Sequence, residues 1–318
     1  MFEPIFLEPV YKDIIWGGTQ FKSLFNRNLS SDTTAESWEV CAHKNGTNII
    51  KNGEFKGRTL EDLFNDNKYK QFVFGNSCKH LDRFPILVKF IDANDKLSIQ
   101  VHPQDSYAIL NENDLGKTEL WYVLDCKPDS KLIYGTKNNI KKEDFRKAIE
   151  NNDLEDYINY QNISKGDVIF IPSGTLHAIL EGIVICEIQQ NSDVTYRVYD
   201  WGRIDKNGVP RQLHVDKALD VINFNFSQSI IHTANDITKR VTLCDCKYFK
   251  TDKISVDTSY LDNTSEDSFV SYTVIKGTGN LIIGGSYYSL SSGTSFIIPA
   301  NTENYEINGT LELLKTWI

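Results

Sequence analysis

Two histidines, a glutamate and a glutamine stand where β-strands would bring their side chains to one point. Gln100 and His102 occupy positions i and i+2 of the run Leu97-Ser98-Ile99-Gln100-Val101-His102. In a strand they leave the same face about 6–7 Å apart. Glu119 opens a second apolar and aromatic run, Glu119 to Leu124. His177 follows a third, Val168 to Ile171, just past the turn Pro172-Ser173-Gly174-Thr175. Two imidazoles and a carboxylate converging inside a small barrel would hold a divalent cation and leave positions open for water or substrate. Zinc suits this set, and iron or manganese can use it too. Gln100 would be either a weak oxygen ligand or a partner that orients His102. Taken singly, each residue has a plainer reading: a surface imidazole at a strand end, or an exposed strand glutamate. The chain has six histidines, and two of them fall in this register, which favours the metal site.

The elements that must position these groups are mostly strands. Val10 to Gly18, Glu36 to His43, Phe84 to Ile91, Leu97 to His102 and Ile183 to Ile188 all read as strand. Alternation sets Ile86, Val88 and Phe90 on one face, against Leu87, Lys89 and Ile91. It likewise sets Leu97, Ile99 and Val101 together, and Trp38 with Val40 against Glu39 and Cys41. Helical spacing is confined to short stretches. One lies between Thr59, a cap candidate, and Phe74, and another is Leu213 to Ile222. A third, Lys141 to Tyr157, carries Phe145, Ala148, Ile149 and Leu154 and is expected as an insertion on the outside of a barrel. A turn is expected at residues 205–208 and a polar linker at 225–235. The phrase Gly293 to Ala300 echoes Gly166 to Ser173, which points to a degenerate internal repeat. The echo has no histidine, and none occurs after His232. A second barrel is therefore expected to bind no metal.

Bulk properties exclude several classes. The 318 residues carry 34 basic and 43 acidic side chains, a net charge of −9, which argues against nucleic-acid or anionic-membrane binding. A phosphorylated substrate would need a local cluster of Lys and Arg. The six cysteines, at 41, 78, 126, 186, 244 and 246, form no C-x-x-C pair or disulfide framework. Cys244 and Cys246 share a strand face as ordinary packing. A reducing compartment is expected. With no signal-like start and no run of the ~20 apolar residues a membrane span needs, the expectation is a cytoplasmic protein, monomer or homodimer.

The spacing Gly166, five residues, Pro172, one, Gly174, two, His177 resembles the second conserved motif of cupin barrels. More of the chain resembles type I mannose-6-phosphate isomerase in its short bacterial form. The phrases that carry this are W-G-G at 16, E-S-W-E-V at 36, L-S-I-Q-V-H-P at 97–103, G-K-T-E-L-W-Y-V-L at 116–124, G-D-V-I-F-I-P-S-G-T-L-H at 166–177 and E-I-Q-Q-N-S-D-V-T-Y-R-V-Y-D-W-G-R at 187–203.

The resemblance implies a mainly β fold of two cupin-type (jelly-roll) barrels. Residues 1–235 would form the catalytic one, with a small helical insertion around 141–158, and residues 236–318 a metal-free one. It implies one zinc ion per chain on Gln100, His102, Glu119 and His177, and interconversion of mannose 6-phosphate and fructose 6-phosphate. It places the family's pocket lysines on Lys89 and Lys117, its arginine on Arg197 and, with one residue of slack, its glutamate on Glu187. Two departures stand out: the large helical domain of longer members is missing, and Thr118 precedes Glu119 where those members have Pro.

That chemistry passes through a cis-enediol(ate). It needs a polarised carbonyl, a stabilised oxyanion and one proton shuttle. Lys89, if buried, would have a lowered pKa and could act as base; a lysine reaching solvent at the strand edge is its plainer reading. Glu187, in an apolar run, would be base, support for the metal, or partner to Arg197. Arg197 would grip phosphate or the enediolate, or else pair with Asp193 or Asp200. Lys89, Lys117 and Arg197, with Arg203 as a further member, would make the positive pocket. A non-catalytic sugar-sensing cupin is disfavoured because all three cations are present. An iron or manganese oxygenase or decarboxylase is disfavoured because Gln100 stands where a histidine would be wanted.

Overall fold

The computed structural model describes residues 3–137, 140–204, 207–226, 230–232 and 239–318. Much of the expected linker at 225–235, the boundary at 235/236 and the start of the 205–208 turn lie outside the described residues.

Two antiparallel sheets face each other in the larger half. The first has seven strands, in the spatial order Ile231–His232, Asp167–Ile171, Glu119–Cys126, Ile183–Gln190, Ile86–Ala93, Thr34–Val40 and Val10–Gly18. The second has five: Ile158–Asn162, Lys131–Thr136, His177–Ile179, Ile99–Val101 and Tyr196–Tyr199. Between them lies a core that includes Trp16, Ile91, Trp121, Ile169, Ile179 and Ile185. This is the cupin-type sandwich, and its inner faces carry the candidate site.

The outer faces explain the helices. Ile99, Val101, Ile133 and Val198, on the outside of the five-stranded sheet, pack with the helices Lys142–Glu150 and Val215–Val221. Phe145, Ala148, Ile149 and Leu154 are buried there, as the helical spacing requires. On the outside of the seven-stranded sheet, Ile86, Val88 and Phe90 meet the helices Leu60–Asn65 and Lys70–Phe74 and the C-terminal residues Phe249, Phe269 and Ile297. Thr59 caps the first of these helices, its hydroxyl accepting from the Asp62 amide at 3.0 Å.

Two face assignments differ from strict alternation. Trp38 and Val40 enter different clusters, because the ladder slips between them. Leu97 precedes the strand proper, which begins at Ile99, and joins the inner core instead of the Ile99–Val101 face.

The C-terminal residues build a nine-stranded sheet around their own core of Val270, Tyr272, Phe296, Ile298, Ile307 and Leu313, among others. Its members include the long strands Val270–Ile283 and Tyr305–Trp317 and, from the other end of the chain, Ile5–Glu8. Ile5 pairs with Ile297 and Phe6 with Phe296, so this sheet draws on both ends of the sequence. The repeat is visible in the backbone. Gly166 and Gly293 take φ of +90° and +86° ahead of the strands Asp167–Ile171 and Ser295–Ile298, and Gly174 and Asn301 take +87° and +53° after them. These angles lie in the left-handed region that favours Gly and Asn.

Candidate active site

Register across the two sheets lines up the candidate side chains in two facing rows. On the seven-stranded sheet Trp38, Lys89, Glu187 and Trp121 are consecutive cross-strand partners. On the five-stranded sheet Tyr134, His177, Gln100 and Arg197 are. Directly opposed residues project to the same side of an antiparallel sheet, so each row presents its polar groups to the barrel interior. Glu119, at the start of its strand, and His102, one residue past Val101, sit at the edge of these rows.

At one end of the barrel, ligand atoms of His102, Glu119 and His177 lie within 4.8 Å of one another. His102 Nε2 is 3.2 Å from Glu119 Oε1, and His177 Nε2 is 3.7 Å from Oε2. Each imidazole is fixed through its other nitrogen: His102 Nδ1 meets the Val194 carbonyl at 2.8 Å and His177 Nδ1 the Thr175 carbonyl at 2.9 Å. A carbonyl can only accept, so each Nδ1 carries the proton and each Nε2 presents a lone pair. Burial, then the Lys117 ammonium, brings His102 down to about 4, and burial lowers His177 as well. Both rings are therefore neutral at pH 7. Burial alone would raise Glu119, but Lys117, His102 and His177 together outweigh it and hold the carboxylate well below its usual range.

Glu119 is fully buried, and neither of its oxygens has an aligned hydrogen-bond donor. Lys117 Nζ, 2.7 Å from Oε1, supplies charge only. Two neutral imidazole lone pairs and an ionised carboxylate turned toward one another fit a small divalent cation. Gln100 Nε2 lies 3.4 Å from His177 Nε2. The amide's two ends are interchangeable by rotation, and the turned amide offers its oxygen to the same point. Gln100 does not orient His102, whose Nδ1 is already bonded to Val194.

Beside this cluster lies a cavity of about 180 Å³, lined by Lys89, Lys117, Glu187, Gln100 and Arg197 together with Glu36 and Arg211. Lys89 is buried, not at the solvent edge, and its ammonium stands 3.0 Å from Glu187 Oε1 and 3.7 Å from Glu36 Oε2. The expected lowering of its pKa is reversed. Burial pulls it down, but the carboxylates of Glu187, Glu36 and Glu119 outweigh burial, so Lys89 rests protonated. Glu187 is the group shifted toward base duty. Burial first, then repulsion from Glu119, raises it, while Lys89 and Lys117 work against that shift. Its Oε2 accepts from Trp121 Nε1 at 2.7 Å.

Arg197 makes no ion pair among the described residues. Its Nη1 donates to the Gln212 carbonyl at 2.9 Å, and its Nε has no partner. Asp200, one of its expected partners, is taken by Arg203 at 2.6 Å and by Arg211 at 2.5 Å. Arg203 turns away from the cavity to the Lys96 carbonyl, and Arg211 takes the place that was expected for it.

Two family models match the chain: "Phosphomannose isomerase type I, catalytic domain" over residues 5–119 and "Mannose-6-phosphate isomerase, cupin domain" over residues 239–318. The Bacillus subtilis protein named "Probable mannose-6-phosphate isomerase GmuF" is 40% identical over 322 residues, covering 99% of both chains. This chain therefore belongs to the type I mannose-6-phosphate isomerase family. The mannose-6-phosphate isomerase ManA of Bacillus subtilis is 37% identical over 98% of each chain. A crystal structure of the mannose 6-phosphate isomerase from Bacillus subtilis superposes with a TM-score of 0.91 at 38% identity, covering 99% of each chain.

Within this isomerase fold, eight residues singled out from the sequence meet around one cavity and the adjoining cluster, and Arg203 does not. Sequence reasoning missed Glu36, Trp121 and Arg211. Glu36 shares parity with Trp38 and accepts from its indole at 2.7 Å, so strand alternation contained a signal for it. Arg211 follows a proline in a loop segment, and nothing in its neighbours marks it.

Proposed function

We propose that this isomerase interconverts D-mannose 6-phosphate and D-fructose 6-phosphate through a cis-enediol(ate), with one zinc ion per chain. The observation that carries the metal is the buried Glu119 carboxylate, with no aligned donor, faced by two imidazole Nε2 atoms at 3.2 and 3.7 Å. His102, Glu119, His177 and the Gln100 oxygen would hold the ion. When bound it would act as a Lewis acid toward the sugar's carbonyl and hydroxyl oxygens.

The chain's own groups divide the remaining work. Glu187 takes the proton from C2 of the open-chain aldose and returns it to C1. Its carboxylate lines the cavity, and its raised pKa gives it the basicity the step needs. Lys89, held protonated, keeps Glu187 oriented at 3.0 Å and offsets its charge. Lys117, 2.7 Å from Glu119 and 4.0 Å from Glu187, donates toward the sugar oxygens. Arg197, which has no ion pair among the described residues and lines the cavity, stabilises the developing oxyanion or the phosphate, and Arg211 adds a second guanidinium at the same wall.

A coupled assay on purified protein with metal analysis tests this. Zinc-loaded protein turns over mannose 6-phosphate, and chelation abolishes turnover until zinc is restored. Turnover that survives complete chelation would refute the metal reading. We also infer a cytoplasmic location, supported by six free thiols; no helix among the described residues is long and apolar enough to cross a membrane.

A further inference from the structure

From Leu115 to Thr118 the chain runs between the helix Asp105–Glu112 and the strand Glu119–Cys126, outside any sheet ladder. This short segment carries Lys117 and leads into Glu119. Buried backbone groups outside a ladder need side-chain partners, and here they have them. The Gly116 amide donates to Asp105 Oδ1 at 2.9 Å and the Thr118 amide to Gln190 Oε1 at 2.9 Å. The Ser192 hydroxyl donates to the Leu115 carbonyl at 2.7 Å. Gln190 Nε2 also donates to Asp105 Oδ1, at 2.9 Å, so the bonds on either side of Lys117 belong to one network. The Lys117 amide itself donates to the Pro103 carbonyl at 3.0 Å, next to His102. The fit is close: a Cβ on Gly116 would stand 2.5 Å from the Asp105 amide nitrogen, so no larger residue can take this path.

Asp105 also has a neighbour from the C-terminal half. Tyr248 lies in the hairpin between the strands Arg240–Asp245 and Lys250–Val256. Its phenol lies beside the Asp105 carboxylate and is pushed up to about 12, by burial first and then by that carboxylate's charge. Tyr248, Asp105 and Gln190 line one wall of a cleft of about 690 Å³ where the two halves meet.

We propose that Asp105 is a positioning residue for Lys117 and Glu119, and that the C-terminal half reaches the site through Tyr248, which shares a cleft wall with Asp105. The inference rests on the isomerase reading for its kinetic arm and on the ligand set alone for its binding arm. Asp105 touches no reacting atom. It sets where the ammonium of Lys117 and the carboxylate of Glu119 stand, and small misplacement of such groups is costly: about 10²-fold in rate for about 1 Å.

The test uses the full chain and two readouts, zinc affinity by chelator competition and the kcat–KM split for mannose 6-phosphate. Asp105→Ala is expected to weaken zinc about 10–100-fold and to lower kcat about 10²-fold, with KM changed less than about threefold. Gln190→Ala removes the same network from its other end and should repeat the pattern more mildly. It also serves as the deciding variant if Asp105→Ala does not fold by circular dichroism. Asp105→Asn keeps the Oδ1 acceptor and should recover both readouts to within about threefold of wild type. Tyr248→Phe should lower kcat by about three- to tenfold. Wild-type zinc affinity in both alanine variants overturns the positioning role even if the protein turns over no sugar. An Asp105→Asn variant as impaired as Asp105→Ala does so as well. Wild-type kcat in Tyr248→Phe overturns the link to the C-terminal half. An inactive zinc-loaded wild type would refute the isomerase reading and leave the affinity arm to decide the positioning role.

Discussion

Each half of the molecule sets a carboxylate among polar partners, and the two are finished differently. In the C-terminal half Asp262 Oδ2 accepts from Lys315 at 2.5 Å, from Tyr272 at 2.6 Å, and from Tyr260 and Tyr305 at 3.2 Å. Its charge is balanced and its lone pairs are used within the chain. In the larger half Glu119 faces imidazole nitrogens that are themselves acceptors, and it has no aligned donor. A carboxylate ringed by donors is a closed structural centre. One ringed by lone pairs is suited to an external cation. The repeat makes the contrast sharper. The same glycine-strand-proline phrase ends in His177 in one half, and the corresponding position 304 in the other is Asn.

If this contrast is right, substitutions in the two halves should damage different properties. His177→Ala should lower kcat/KM by more than about 10³-fold and lose bound zinc, with the fold intact by circular dichroism. Glu187→Gln should lower kcat by about 10²–10⁴-fold. It should also remove the acid limb of the wild-type pH profile. That limb arises because the base must be ionised, and a raised pKa means activity is lost as pH falls through a value above the usual carboxylate figure of about 4.3. A limb at or below that figure would exclude Glu187 as the base. Arg197→Ala should cost about 10²–10³-fold in kcat and much less in KM, and normal turnover would remove it from the mechanism.

Asp262→Ala should leave kcat per folded molecule near wild type but destabilise the protein by about 3–5 kcal/mol, because Lys315 is left buried without its partner. Asp262 is held below its usual pKa: burial opposes this, and its bonds to Lys315 and Tyr272 outweigh burial. Its stabilisation is therefore complete above the ordinary carboxylate pKa and fades as pH falls through the depressed one. The difference in Tm between wild type and Asp262→Ala should shrink in acid. A large loss of kcat in Asp262→Ala would erase the distinction between the two halves.

Much of this was legible in the sequence, for a physical reason. Strand alternation is a rigid rule, so Gln100 and His102 could be placed on a shared face from their spacing alone; Lys117 precedes its strand, and other contacts bring it 2.7 Å from Glu119. The expectation that the second barrel binds no metal rests on the absence of histidine after residue 232. What escaped depends on partners distant in the chain. The direction of the Lys89 shift is set by Glu36 and Glu187, which alternation alone does not bring within 3.7 and 3.0 Å of it. The bulge after Trp38 breaks the alternation on which the face assignment relied. Arg211 reaches the cavity from a loop, where no periodicity applies.

The strand Ile5–Glu8 pairs with Ile49–Ile50 on one side, but its other partner comes about 290 residues later, in Ser295–Ile298. A growing chain on the ribosome therefore holds one edge of this apolar segment without its Ser295–Ile298 neighbour until almost all of the sequence has emerged. Such long-separation pairing slows folding and exposes an unpaired edge in the meantime. Severing the molecule between its halves would strand that segment for good. The two barrels should consequently melt in a single step, and neither should survive expression alone.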